Sequence, residues 1–575
     1  LHFQLTQTFK ETHMKNSLYK YALIFFSLYL ISCSKEKFAE FNKDPDAVTT
    51  LSLDYIFTRA IVASNDNDFD AYYDNYNYIS RWSRVFLQRT GNTFTVVDNA
   101  SNSNNRYGRF FQDVGPLLTD IQQTIDKMPE DTRARNSYKK AIASILKVQQ
   151  AWYVTDVNGS IAYQEAFQSR YGGTLTPTYN TQDELYKIFD TELKEAASVL
   201  TTTQAVDQFK FENNSDLYFN GDEKKWAKAA NSLRLAIALR LSKRDPERLK
   251  TIVNDVLSHP AGLMESATDS WMLQARKNFT AGGNWNITGN GRLFVGEYGV
   301  VNYMWNNNDP RLRFFFRPNQ WSEENFQAAK DQGVISKTAT FDTRRYYGQY
   351  SNPDASKDAV KARFLNPLQI KSGNNTIALD TVSRIQDRIF QPENNGGGGT
   401  GIIPVLTYAD LCFIRAEIAQ RGWSNENAEQ LYYKGVEASL KFYDNLANVA
   451  QVYDYKALTE AEINAFKSSP NIVFKQSTGL EQIVLQAYLN YFRNFNEAWA
   501  LVKRTGMPNK DTKLMFEDWT NEGQTLQMPR RFVINYPLAG DLNFNNRTSA
   551  IDEMAKDPDF GLPSSIQGRV WWDKK

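Results

Sequence analysis

Cysteine and histidine are nearly missing from this chain of 575 residues, which holds two of the first and three of the second. Cys33 and Cys412 cannot build a disulfide framework, so the fold has to be held by packing. His2 and His13 fall near the start, which leaves His259, in a Ser-His-Pro step at the expected end of a helix. One histidine and one core-patterned cysteine cannot make a His/Cys zinc site, and any Ser/His or Cys/His nucleophile would have to act through His259. A helix C-terminus favours a histidine there for its dipole alone. No metal and no other cofactor is implied. An excess of one charge is missing too: 66 Lys and Arg stand against 65 Asp and Glu. Without a basic surplus there is no footprint for a phosphate backbone, and nucleic acid is set aside as a partner. Nor does any apolar run reach the ~20 residues that a spanning helix needs. Carboxylate chemistry survives these absences, since 64 acidic residues after position 32 always offer some pair.

The longest apolar run, Tyr21–Ile31, follows Lys15 and Lys20, the arrangement of a secretory signal. Its end, Leu30-Ile31-Ser32-Cys33, resembles a bacterial lipobox. That resemblance implies cleavage before Cys33, a diacylglyceryl thioether on its sulfur and an acylated amine. Two or more such chains, at about 0.8 kcal/mol per buried CH₂, give stable membrane residence where one does not. Leu1–His13 begins without methionine and is expected to be an artefact of start assignment, so residues 1–32 are taken as upstream residues plus signal peptide. The remainder carries 63 basic and 64 acidic residues and is nearly neutral. Residues 33–50, polar and containing Pro45, suit a lipidated tether. Ser34-Lys35-Glu36-Lys37 is similar to the short charged signals that send Bacteroidetes lipoproteins to the cell surface.

The body, residues 51–575, exceeds what one hydrophobic core organises. Apolar residues recur at helical spacing over 51–64, 107–128, 132–155, 183–200 and 222–241, and again over 408–421, with a further pair of helices over 480–495 and 496–505. Ser424 or Asn425 is expected to cap a further helix. The class is therefore mainly α, helical over 51–258 and 405–508. Ala428-x₃-Tyr432, with the small Ala416 and Gly435, suggests tetratricopeptide-like hairpins in degenerate form. Residues 260–404 differ: glycine, asparagine, proline and aromatics dominate, which predicts a long loop-rich insertion carrying short strands. Segments of this kind in compact proteins are functional surfaces or disordered, and this one is too aromatic for disorder. Gly396–Gly401 matches a glycine-rich phosphate loop only by accident of composition and reads as a hinge. The tail, 509–575, is irregular.

Seven aromatics fall within residues 69–86. Tyr78, Trp82 and Phe86 recur every four residues and suggest a core face. The others interleave with Asp74, Asn75 and Asn77, and flat apolar rings beside amides and carboxylates are what a carbohydrate or peptide pocket requires. The candidate ligand contacts are Tyr72, Tyr73, Asn75, Trp82 and, from the insertion, Trp285. Asp66, Asp68 and Asp70 have calcium-loop spacing, but Ala71 and Asn77 replace the glycine and glutamate such a loop needs, so a solvated loop is expected.

Five segments in order resemble the SusD/RagB family of nutrient-binding outer-membrane lipoproteins, and more closely its SusD-like branch. They are FNKDPDAVT at 41–49, TDVNGSIAYQEAF with TPTYNTQDELY over 155–186, DLYFNGDEKKWAKAANSLRLAIALRL at 216–241, LTYADLCFIRAEIAQRGW at 406–423, and QAYLNYFRNFNEAWALVKRTGMP at 486–508. The resemblance implies a helical body packing against a SusC-like TonB-dependent transporter in the outer membrane, with the loop-rich remainder carrying the ligand surface. It implies capture of an oligosaccharide or peptide without catalysis. A surface glycoside hydrolase using two carboxylates, and a scaffold that binds no small ligand, are the alternatives.

Overall fold

Side-chain caps fix where the long helices start. In the computed structural model, which describes residues 52–65, 70–89, 100, 102–212, 214–275, 287, 293–362, 364–392 and 399–575, Thr181 and Glu184 close a capping box at the head of Gln182–Thr201. Asp222 accepts from the Lys224 and Lys225 amides to open Glu223–Ala238. Thr407 and Asp410 form a second box at Tyr408–Gln420. Asn427, rather than Ser424 or Asn425, caps Ala428–Val449 by accepting from the Gln430 amide at 2.9 Å. Each such cap contributes about 1 kcal/mol.

The helices pack as two stacks. In the first, Ser137–Asn158 lies between Gly115–Asp126 and Gln182–Thr201, and Glu223–Ala238 packs on the latter and on Pro246–Ser258. In the second, Tyr408–Gln420 packs on Ala428–Val449 and Gly479–Asn490, and Phe495–Thr505 follows. The stacks meet where Glu223–Ala238 touches Tyr408–Gln420. The expected small residues act as the hairpin reading requires. Ala416 is fully buried, and a methyl group on Gly435 would fall 2.8 Å from the Phe413 ring. Helix continuity is less regular than the periodicity suggests. The expected helix over 107–128 runs from Asn105 to Asp126 with a π turn at Phe110–Val114, where the Gly115 amide bonds to the Phe110 carbonyl. Pro116 follows at once, and its missing amide is accommodated by that wider winding. The expected pair over 480–495 and 496–505 is present as Gly479–Asn490 and Phe495–Thr505, the second capped by Asn494.

Buried ion pairs tie the scaffold together. Arg240 bonds both Asp156 in the first stack, at 3.0 Å, and Glu497 in the second, at 2.7 Å. Arg504 forks onto Glu417, and the fully buried Arg311 onto Asp309. Among the described residues, no helix is long and apolar enough to cross a membrane.

The insertion is bracketed by its own ends. Trp271–Ala275 pairs antiparallel with Gly401–Leu406, from Trp271 opposite Leu406 to Ala275 opposite Gly401. Between them lie short strands, and also two helices that the sequence reading did not separate from loop, Tyr298–Asn306 and Glu323–Asp331. Both are capped, by Glu297 and Ser322, and both are too short for periodicity to show. Phe294–Val295 joins Leu87–Gln88 on one side and Arg384 on the other. Phe316 pairs with Ile385, and the Ser383 amide reaches the Tyr347 carbonyl at 2.7 Å. This irregular patch, with the hairpin of Leu368–Ser372 and Asn375–Leu379, forms the base of the loop-rich face.

Candidate ligand-binding site

Two regions gather polar and aromatic side chains. The first is a cleft of about 170 Å³ between the helical stacks, lined by Asp70, Asn75, Arg106, Arg109, Tyr153, Asp156, Asp410, Asn496 and Glu497 among others. Asp70–Ile79 winds as a π-helix and turns Asp70 and Asp74 onto Arg109 and Arg106. Burial and the neighbouring Asp70 push the Asp74 carboxyl up to about 7, against the pull of Arg106. Asn496 donates to Asn75 at 3.1 Å and to the Tyr153 hydroxyl at 3.2 Å, and that hydroxyl donates to Asp70 at 3.1 Å. Each acid of the cleft serves the scaffold. Asp70 pairs with Arg109, and Asp156 and Glu497 share Arg240. Asp410 accepts from the Thr407 amide at 2.6 Å and from Asn490. Burial raises Asp410 to about 7, but its hydrogen bonds belong to a helix start and not to an open acid.

The second region is on the loop-rich face. Trp305, near the end of Tyr298–Asn306, is 37% exposed. Tyr346 lies beside it with ring centroids 6.3 Å apart and planes 33° from parallel. The Arg344 guanidinium lies 5.3 Å from the centre of the Trp305 ring and 4.2 Å from that of Tyr347. It is held in place by donating to the Tyr346 carbonyl at 2.8 Å and to Asn302. Asp342 fixes the turn, accepting from the Arg344 amide at 2.9 Å and from the Tyr347 hydroxyl. Burial among these rings lowers the Arg344 pKa, though Tyr347 and Asp342 oppose the shift. The result is a partly exposed indole with neighbouring rings locked by polar contacts, a surface on which the apolar face of a sugar or a flat peptide side chain can lie without ordering the protein first.

The structure sorts the residues singled out from sequence. Asn75 is in the interior cleft. Tyr72 is 8% exposed and meets the half-buried Tyr73 edge-on at 4.8 Å. Trp82 is corrected from contact to core: it is 1% exposed, packed at 5.2 Å from Trp499 and 5.5 Å from Phe532. The four-residue recurrence with Tyr78 and Phe86 carried that information. Trp285, Cys33, Asp66, Asp68 and Gly396–Gly398 lie outside the described residues. The structure does not bring Tyr72, Asn75 and Trp82 to one surface; it adds Trp305, Arg344, Tyr346 and Tyr347, which the sequence showed only as part of an aromatic-rich stretch. Cys412 is buried, and burial raises its thiol to about 11. His259 ends the Pro246–Ser258 helix as expected. Its Nδ1 accepts from the Ala261 amide at 3.2 Å, so Nε2 carries the proton toward Ser198 at 3.1 Å, the wrong tautomer for a base on that hydroxyl.

A family model described as starch-binding and associating with the outer membrane, SusD-like_2, matches residues 47–537. No curated protein matches. Among solved structures, the chain is similar to a chitin-binding protein at 21% identity and TM-score 0.68, over 91% of this chain and 100% of the other. It is similar to a chitin-binding SusD homolog from Flavobacterium johnsoniae at 19% identity and TM-score 0.63, over 91% and 98%. A SusD homolog from Bacteroides fragilis NCTC 9343 matches at 18% and 0.64, over 91% and 100%. At these identities the likeness establishes the fold.

Proposed function

The chain belongs to the SusD-like family of starch-binding, outer-membrane-associated proteins, and we propose that it captures an oligosaccharide at the cell surface and hands it to a SusC-like TonB-dependent transporter without cleaving it. The observation that carries this reading is the loop-face platform of Trp305, Tyr346 and Tyr347 locked around Arg344. The chitin-binding names of two similar structures lend it chemical sense, and a peptide with a flat side chain is the second ligand the same rings would accept. Lipid on Cys33 would hold the protein at the membrane through the tether of residues 33–50. A partner surface has support as well. Leu175, Leu538, Leu542 and Leu562 are 68–77% exposed, and Asn543 and Asn546 dock the helix Phe544–Met554 against the carbonyls of Pro177 and Thr176. Exposed leucines of this kind suit a protein interface.

Calorimetry with chito-oligosaccharides, malto-oligosaccharides and peptides, followed by chromatography of the recovered ligand, tests the reading. Saturable binding with the ligand returned intact supports it. Released shorter sugars favour a carboxylate-pair hydrolase, and no binding to any of these ligands favours the scaffold. Labelled palmitate that fails to enter the wild-type chain, or a Cys33→Ala variant that stays as firmly in the envelope fraction, removes the lipid anchor.

A further inference from the structure

Against the helix Phe544–Met554 lies a cavity of about 380 Å³, compared with about 170 Å³ for the cleft between the stacks. Its volume falls within the ~300–1,000 Å³ of small-molecule sites. The other walls are the end of Ser137–Asn158 with Ser160 beyond it, residues 102–108, Tyr179 and residues 533–535. None of the described lining belongs to the aromatic platform or to the insertion.

These walls are fixed to one another before any ligand arrives. The side-chain amides of Asn104 and Asn158 donate to each other at 2.6 and 3.0 Å, and Asn158 also donates to the Val154 carbonyl at 2.8 Å. Asn102 and Asn104 hold φ of 54° and 72°, a region in which asparagine is enriched over other non-glycine residues. The hydroxyls of Tyr107 and Tyr179 bond to each other at 3.3 Å. From the helix, Met554 closes on the turn. The Ser160 amide donates to its sulfur at 3.3 Å, and a methyl group on Gly159 would fall 2.5 Å from that sulfur.

Inside this frame several polar groups stay open. Ser160 is 6% exposed and lines the cavity, yet its hydroxyl bonds to none of the described residues. A buried hydroxyl left so is costly unless something in the cavity completes it. Asn102 and Asn535 are exposed and stand on the solvent side. Their backbone carbonyls accept from Asn105 and Arg547, while their side-chain amides bond to none of the described residues. Arg547 makes that bond at 3.1 Å, and among the described residues it pairs with no carboxylate. No acidic side chain is found in the described lining, so a cation has no counter-charge here. Val533, Ile551 and Met554 add an apolar wall beside the amides. A pyranose matches this set, because its hydroxyls both donate and accept, as the open amides and Ser160 do, and its C–H faces suit apolar side chains. With one arginine among amides and hydroxyls, a neutral ring fits better than a charged one.

We propose that this cavity is a second sugar site, apart from the platform at Trp305, holding one neutral pyranose residue through Ser160, Asn102, Asn535 and Arg547. The proposal rests on the capture reading above and gives the glycan another point of attachment, on the helix next to the exposed Leu538 and Leu542. A sugar held there lies beside the leucines offered to the transporter.

The test is calorimetry on the full chain with a malto-trisaccharide and a chito-trisaccharide as neutral probes, a galacturonate trisaccharide as the acidic one and tri-alanine as the peptide. The expected result is two molecules of one neutral trisaccharide per chain. Trp305→Ala should leave one, Ala550→Trp, which fills the cavity, should leave one, and the double variant none. Ser160→Ala removes only the open hydroxyl and serves even where the tryptophan variant does not fold. Measured beside Trp305→Ala, it should weaken the remaining site about fivefold, the loss of one hydrogen bond to a neutral group, with melting unchanged. A single site that is indifferent to Trp305→Ala and lost with Ala550→Trp supports the cavity and moves capture away from the platform. A single site lost with Trp305→Ala and untouched by Ala550→Trp and Ser160→Ala overturns the second site and leaves capture at the platform standing. Galacturonate or tri-alanine bound at the cavity in place of the neutral sugars overturns the neutral class. No sugar bound at all removes the capture reading and the second site with it.

Discussion

Arginine does opposite work in the helical stacks and on the loop-rich face. In the stacks a buried guanidinium is matched by carboxylates: Arg234 by Asp190 and Asp255, Arg240 by Asp156 and Glu497, Arg311 by Asp309, Arg504 by Glu417. On the face the guanidinium also lies against rings, Arg344 against Trp305 and Tyr347, Arg317 and Arg388 against Tyr453, with Arg317 paired to Asp387 as well. A charge closed by a carboxylate holds the scaffold, and the Arg344 charge set between rings holds the aromatic platform.

Several substitutions would break or sharpen that contrast. Asp309→Asn should have the largest effect, because it strands the fully buried Arg311. A loss of about 3–5 kcal/mol is expected in denaturant unfolding. Glu417→Gln follows at about 3 kcal/mol and adds a pH signature. Burial would raise the Glu417 carboxyl, but Arg504 and Arg421 outweigh it and hold it at about 2. Between pH 2 and the ordinary 4.5, the unfolded chain therefore binds more protons than the folded one. The pair's stabilisation is complete above pH 4.5 and fades as pH falls toward 2. The variant should lack that acid limb, and a wild-type curve parallel to the variant's through this window would refute the assignment. Trp305→Ala on the face should cost about 1.5 kcal/mol of glycan affinity with melting nearly unchanged; equal losses in both would move the residue into the scaffold class. Smallest in stability, within about 0.5 kcal/mol, should be the double variant Leu538→Asp, Leu542→Asp, whose effect should appear in detergent pull-down as loss of a large barrel protein that travels with the wild-type chain.

The helices were legible because their signals are local. Thr181 with Glu184, Asp222, and the apolar stripe through Trp226, Ala230 and Leu233 all lie within a few residues of what they organise. The wide turns at Asp70–Ile79 and Phe110–Val114 were not, since an aromatic-rich run reads alike at either winding. The candidate site was legible only as a composition. Trp305 and Tyr346 are 41 residues apart; nothing in either neighbourhood announces the other. Trp82 shows the converse error, a large ring placed near amides in sequence but packed on Trp499 and Phe532 by a segment more than 400 residues away.

The ribbon of Trp271–Ala275 with Gly401–Leu406 brings the departing and returning chain to a single doorway in the helical body. Whatever is spliced between those strands inherits a closed loop. Doubling its length would then add only about 0.6 kcal/mol of closure entropy. Segments of other lengths could be grafted at Ala275 and Gly401 while the stacks behind them go on folding as before, so that a new appetite need not mean a new protein.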